Sequence, residues 1–196
     1  MNAILRGNTV GSLRQRQHAV LVGSMLGDGA LRRQGNRQAL LEINHSHSQK
    51  EYVDWKYEVF RDLVTTAPKL RLGNGKRVAY RFTTKSLPIL SVYHQWFYRP
   101  EGKIIPDDLE IDSLALAVWF MDDGSKSRSS CYLNTQQFRE DDQQRLIQLL
   151  WQTFGIEGRI NRDKKYKRIR ITTVGTVKLH LLIREHILPC FRYKLV

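Results

Sequence analysis

The sequence predicts an α+β protein built from two pseudo-symmetric αββαββα repeats. Each repeat is expected to form a four-stranded antiparallel sheet with helices packed on its back, and the two sheets to form a saddle. Three observations lead there. The order helix, two strands, helix, two strands, helix reads twice along 196 residues, which implies pseudo-two-fold symmetry. Each copy opens on an unusually apolar helix that stops at an acid–glycine pair, LVGSMLGDG at 21–29 and LAVWFMDDG at 116–124. With 41% hydrophobic residues, the chain carries enough apolar material for one domain, or for two small units sharing a core.

The elements follow in order. Residues 1–17 contain no acid and read as an N-terminal arm. In the first repeat (18–98), a helix over 18–26 stops at Gly27-Asp28-Gly29, and short strands follow near 30–33 and 38–44. Ser48-Gln49-Lys50-Glu51 has the form of a capping box, and Tyr52, Trp55, Val59 and Leu63 behind it keep helical spacing. Strands at 69–72 and 76–83 flank Gly73-Asn74-Gly75, whose Asn-Gly pair signals a hairpin turn, and a helix near 86–97 ends the repeat. Residues 99–112, with Pro100, Pro106 and five acids, read as a linker. The second repeat (113–196) restarts with a helix over 113–121, strands near 125–128 and 131–135, and a helix over 140–154. Three acids open that helix, where its dipole favours them. A hairpin over 158–172 and a helix over 174–187 complete the pattern, before Pro189.

Charge indicates the partner. With 32 Lys and Arg against 19 Asp and Glu, the chain carries a net charge of +13 and a pI near 10.0, which makes a polyanion the leading partner. The charge is segregated. Residues 159–170 hold Arg159, Arg162, Lys164, Lys165, Lys167, Arg168 and Arg170 against a single acid; residues 69–81 hold Lys69, Arg71, Lys76, Arg77 and Arg81 with none. Alternation puts Arg77, Ala79, Arg81 and Thr83 on one face and Val78, Tyr80 and Phe82 on the other. Likewise Tyr166, Arg168, Arg170 and Thr172 lie opposite Ile169 and Ile171. Two basic sheets with apolar backs suit the DNA major groove. Arg32, Arg33, Arg37, Lys126 and Arg128, on the first strands of the two repeats, are expected to join these faces. No membrane partner is expected, since the longest apolar run, 114–121, has eight residues where a spanning helix needs about 18. Two isolated cysteines, Cys131 and Cys190, suit a reducing intracellular compartment, whether a prokaryotic cytoplasm and nucleoid or an organelle matrix.

The two aspartates carry the chemistry. A carboxylate at a helix C-terminus meets the negative end of the dipole and costs roughly 0.3–1 kcal/mol, so stability alone would not place Asp28 and Asp123 there. A divalent cation reverses that sign. Packed side by side, the two apolar helices would bring Asp28 and Asp123 face to face, with Gly27 and Asp122 completing a hard oxygen site suited to Mg²⁺. Such a site activates water and stabilises the leaving oxygen in phosphodiester hydrolysis.

From about residue 18 to residue 195 these motifs resemble the LAGLIDADG homing endonucleases, in the single-chain, two-motif, intron-encoded subgroup. LAVWFMDDGSK, YLNTQQF and ILPCFRYKL carry the second half of the resemblance, and LVGSMLGDG the first. The first motif departs from the family name at Ser24 and Met25, and Val118 replaces the third-position glycine in the second. The resemblance implies that Asp28 and Asp123 are the metal-binding acids, and that Lys103 in GKIIP and Lys194 in RYKL are the peripheral catalytic bases of charge. The polar residue completing the water network would be Asn44 in one half and Asn134 in the other, with His45 and Gln136 as alternatives. It further implies Mg²⁺ as cofactor, Mn²⁺ as a substitute, Ca²⁺ supporting binding without cleavage, and a monomer cutting both strands of a long, asymmetric double-stranded DNA site. Two other outcomes fit the same residues: a maturase binding its host intron RNA, and a DNA-binding regulator that has lost cleavage. His45-Ser46-His47 lacks a third ligand nearby for a zinc or HNH site, and the terminal residues lack the splicing groups of an intein.

Overall fold

The computed structural model describes residues 13–35, 38–73, 78–164 and 166–195, and the chain divides into two compact units, Met1–Trp96 and Phe97–Val196. The first contains α1 (Gln15–Leu26), β1 (Ala30–Gln34), β2 (Gln38–Ser46), α2 (Lys50–Phe60), β3 (Lys69–Leu72), β4 (Val78–Thr83) and α3 (Pro88–Phe97), whose last residue crosses the boundary. The second contains β5 (Tyr98–Arg99), β6 (Gly102–Lys103), α4 (Ser113–Asp123), β7 (Gly124–Ser127), β8 (Ser130–Leu133), α5 (Glu140–Phe154), β9 (Gly158–Asp163), β10 (Tyr166–Ile171), α6 (Thr173–Ile183) and a 3-10 helix, Pro189–Lys194. Each unit has one four-stranded antiparallel sheet, ordered β1-β2-β4-β3 in the first and β7-β8-β10-β9 in the second. The repeat in the sequence is thus a repeat in topology.

The sheets sort residues by parity. In the first, Leu41, Ile43, His45, Tyr80 and Phe82 are buried on the helix side. In the second, Cys131, Leu133, Ile169 and Ile171 do the same. The opening helices are apolar all round and buried accordingly, from Ala19 to Leu26 in α1 and from Ala115 to Met121 in α4. Among the described residues no helix is long and apolar enough to cross a membrane.

Four boundaries differ from the sequence reading. First, α1 begins at Gln15 and not at His18, because the Gln17 amide ties the entry: its Oε1 accepts from Arg14 N at 3.1 Å and its Nε2 donates to Val59 O at 3.1 Å. Second, no capping box forms at Ser48–Glu51. The strand β2 runs to Ser46, whose hydroxyl accepts from Ser48 N at 3.4 Å and caps a 3-10 turn, while Gln49 offers α2 no side-chain bond. Third, the segment 99–112 is ordered. It opens with the β5–β6 hairpin, and Ile105, Leu109 and Ile111 are buried between polar neighbours. The buried Asp142 carboxylate accepts from Ile105 N at 3.3 Å, and Arg145 donates to Ile105 O, so apolar side chains and α5 fasten what proline content alone marks as a linker. Finally, α6 ends at Ile183 instead of Ile187, with His186 N and Ile187 N both returning to Ile183 O. The Asn-Gly turn at residues 74–75 lies outside the described residues.

Candidate functional site

In the first unit the site begins where α1 stops. Gly27 closes the helix through its N–H to Gly23 O and Ser24 O, and the chain then turns so tightly that Gly29 N reaches Ser24 O at 2.8 Å. A Cβ on Gly29 would lie 2.7 Å from Ser24 Cβ and 2.8 Å from Ser24 O, which no side chain tolerates. The glycine therefore fixes where Asp28 projects: outward, with its side chain 49% exposed. Behind it stands His45, delivered from the buried face of β2, with Nδ1 3.7 Å from Asp28 Oδ2 and its ring 5.2 Å from that of Tyr52. Asn44, assigned to this position from the sequence, faces the other way, opposite Arg81 in the register. Successive strand residues alternate faces, so only one of the pair can reach the acid.

The second unit repeats the device with different parts. Here α4 ends at Asp123 and Gly124 starts β7 at once; a Cβ on Gly124 would sit 2.4 Å from Phe120 O. Asp123 O accepts from Asn134 N at 2.9 Å, while its Oδ2 accepts from Gln137 Nε2 at 3.4 Å. The side chain of Asn134 is turned to the sheet, accepting from Arg168 at 3.2 Å. Gln137, one residue past the sequence alternative Gln136, is thus the amide that touches the acid. Lys194 is buried, and its amine donates to Met121 O at 2.6 Å and to Asp122 O at 3.3 Å. A cation at the last carbonyls of a helix is favourably placed, and it occupies the Asp122 carbonyl expected from sequence to help a metal. Lys103 lies half-buried on β6, paired with Tyr98 in the second unit.

The front face of the first sheet presents Arg32, Lys69, Arg71 and Arg81, with Asn44. It also holds an acid the sequence reading passed over: Glu42 takes Arg32 in a two-bond pair at 2.8 and 3.0 Å and lies 3.9 Å from Arg81. Neighbouring carboxylate and guanidinium groups fix one another for planar recognition. In the second sheet the front holds Arg159, Arg168 and Arg170, where Arg168 stacks 3.9 Å over the Tyr132 ring and Arg170 Nε donates to Ser130 Oγ at 3.3 Å. Four other basic residues depart from the expectation. Arg33, Lys126, Arg162 and Lys167 share the register of buried residues, because strand parity sends them to the opposite face. Lys167 there pairs with Glu140. Arg128 and Lys164 occupy turns with positive φ, 42° and 56°. Arg37, Lys76, Arg77 and Lys165 lie outside the described residues.

The donors fit a hard cation. Carboxylates at helix C-terminal ends offer oxygen at the negative pole of a dipole, as Mg²⁺ or Ca²⁺ requires, and no thiolate lies among them. Cys131 is buried 0% exposed on β8, and burial pushes its thiol up to about 11, which makes it an inert core group. His47 has left the strand for the 3-10 turn and packs edge-on to Tyr80, so it does not join His45.

This arrangement of apolar helix, acid–glycine stop and basic sheet is that of a known class. Residues 18–179 match the LAGLIDADG DNA endonuclease family, and the chain belongs to it. It is 28% identical to the probable intron-encoded endonuclease 1 of Wickerhamomyces canadensis, over 94% of this chain and 86% of that protein. It is 28% identical to the cytochrome b mRNA maturase bI2 of Saccharomyces cerevisiae over 96% of this chain, and 29% identical to the RecA protein of Mycobacterium gastri over 94%. The chain spans about half the length of these last two, 49% and 48%. Its structure resembles that of the homing endonuclease I-WcaI bound to its DNA recognition sequence, with a TM-score of 0.86 and 28% identity, over 94% of this chain and 87% of that one.

Proposed function

We propose that this chain is a single-chain, two-motif homing endonuclease that makes double-strand breaks in a long, asymmetric DNA site by divalent-metal-dependent hydrolysis. The observation that carries the reading is the duplicated motif: within one family match, two buried helices each end on an acid, fixed by a glycine that admits no side chain, beside a basic sheet. Both repeats lie in one chain, so a monomer contains the machinery for two strands.

Binding starts with charge and ends with geometry. Exposed Lys69 and Arg71 contact phosphates, a sequence-blind term. The stacked Arg168 and the hydroxyl-bonded Arg170 are held in defined directions, so they read base edges, each good two-bond contact being worth roughly 1–3 kcal/mol of discrimination. Asp28 and Asp123 hold Mg²⁺, which supplies an activated water and charge stabilisation at the leaving oxygen; Mn²⁺ substitutes, and Ca²⁺ supports binding alone. Lys103 and Lys194 add positive charge beside the scissile phosphates. A second reading, binding of host intron RNA, is favoured by the relationship to the bI2 maturase and coexists with the first.

Asp28→Asn and Asp123→Asn test the site. Each is expected to abolish double-strand cleavage while leaving DNA affinity in Ca²⁺-free buffer within about twofold, since neither removes a phosphate-binding cation. Undiminished cleavage by either variant contradicts the assignment.

A further inference from the structure

Each acid is held in place, but the two units hold theirs with different side chains. His45 is a rigid ring, its side chain 3% exposed, fixed on β2 against Tyr52 with Nδ1 3.7 Å from Asp28 Oδ2. Gln137 is an exposed amide in the loop after β8, with Nε2 donating to Asp123 Oδ2 at 3.4 Å. Both reach one carboxylate oxygen from a nitrogen. At 3.7 Å the His45 contact is electrostatic and not a full hydrogen bond, yet the ring has no room to leave. Gln137 has a shorter contact but competes with water for it.

We infer that His45 and Gln137 are the positioning residues of the two acids, and that their inequality lets each unit's acid be weakened separately, so that the strands of the target are cut with independently adjustable rates. This rests on the endonuclease reading above. Groups that orient a metal-binding carboxylate commonly influence metal affinity or activity by about 10–100-fold. A packed support such as His45 contributes more than a solvated one such as Gln137.

The experiment uses the full chain, a supercoiled plasmid carrying its selected target, and a separate label on each strand, with nicking followed across a Mg²⁺ titration. His45→Leu is expected to shift the ratio of the two strand rates by about tenfold and to raise the Mg²⁺ needed for half-maximal nicking. His45→Gln, which keeps a nitrogen donor, restores most of both. Gln137→Leu shifts the ratio in the opposite direction, by less. If His45→Leu fails to fold by circular dichroism, the exposed Gln137→Leu must still skew the ratio. Shifts in the same direction, or a ratio unchanged in Gln137→Leu, overturn the inference while leaving the nuclease reading intact. A wild-type chain that nicks neither strand in Mg²⁺ or Mn²⁺ overturns both.

Discussion

Lys194 stands at a meeting of structure and chemistry. Its amine donates to Met121 O and Asp122 O, the carbonyls directly before Asp123, and its ammonium lies 5.1 Å from the Phe191 ring. A lysine serving only a DNA phosphate would leave the free protein's stability untouched. A lysine that caps α4 would not. Charged hydrogen bonds of this kind contribute about 1.5–3 kcal/mol, so Lys194→Met is expected to lower unfolding free energy by that order in urea titration, with no DNA present. An unchanged midpoint would confine Lys194 to the substrate. His45 and Gln137 teach a related lesson about legibility. The acids were visible in sequence because the motif repeats at 95 residues' separation. Their partners were not, since β2 parity decides between Asn44 and His45, and a loop beyond β8 decides among Asn134, Gln136 and Gln137. Those contacts are made in three dimensions and leave no periodic mark.

The acid–glycine stop sets the geometry at the scale of elements. In both units the strand begins within a few residues of the helix end, and Gly29 and Gly124 lie against the last turn of the helix. Gly124→Ala would put a methyl 2.4 Å from Phe120 O, and Gly29→Ala one 2.7 Å from Ser24 Cβ. Overpacking of this kind costs typically about 1–3 kcal/mol. Each substitution is therefore expected to lower stability by that order and to displace the adjoining acid, so cleavage falls more than binding; a variant with full stability and activity would show that the close approach is dispensable. Strand parity was legible wherever apolar residues alternate, as in β4 and β10. It failed for Arg33, Lys126, Arg162 and Lys167, where basic residues occupy both parities and only the register says which face they join. Capping was misplaced for a similar reason: Ser46 and Ser48 are both competent, and the length of β2 chooses between them.

For the whole molecule the net charge of +13 dominates encounter with nucleic acid. The front faces described above hold about six cations placed for phosphates, so DNA affinity is expected to fall by about a thousandfold between ~50 and ~200 mM salt. A slope near zero would mean that the basic faces do not meet the backbone. The repeat order was legible across the chain because each element keeps its own hydrophobic period. The 99–112 segment was not, since two prolines and five acids obscure three buried apolar residues.

The endonuclease reading meets its most direct test in selection from a randomised duplex DNA library in Ca²⁺, followed by incubation of the recovered site with Mg²⁺. Recovery of a long, asymmetric site that is then cut on both strands is the predicted result. Tight, sequence-specific binding with no cutting in Mg²⁺ would contradict it and leave a DNA-binding protein that does no hydrolysis.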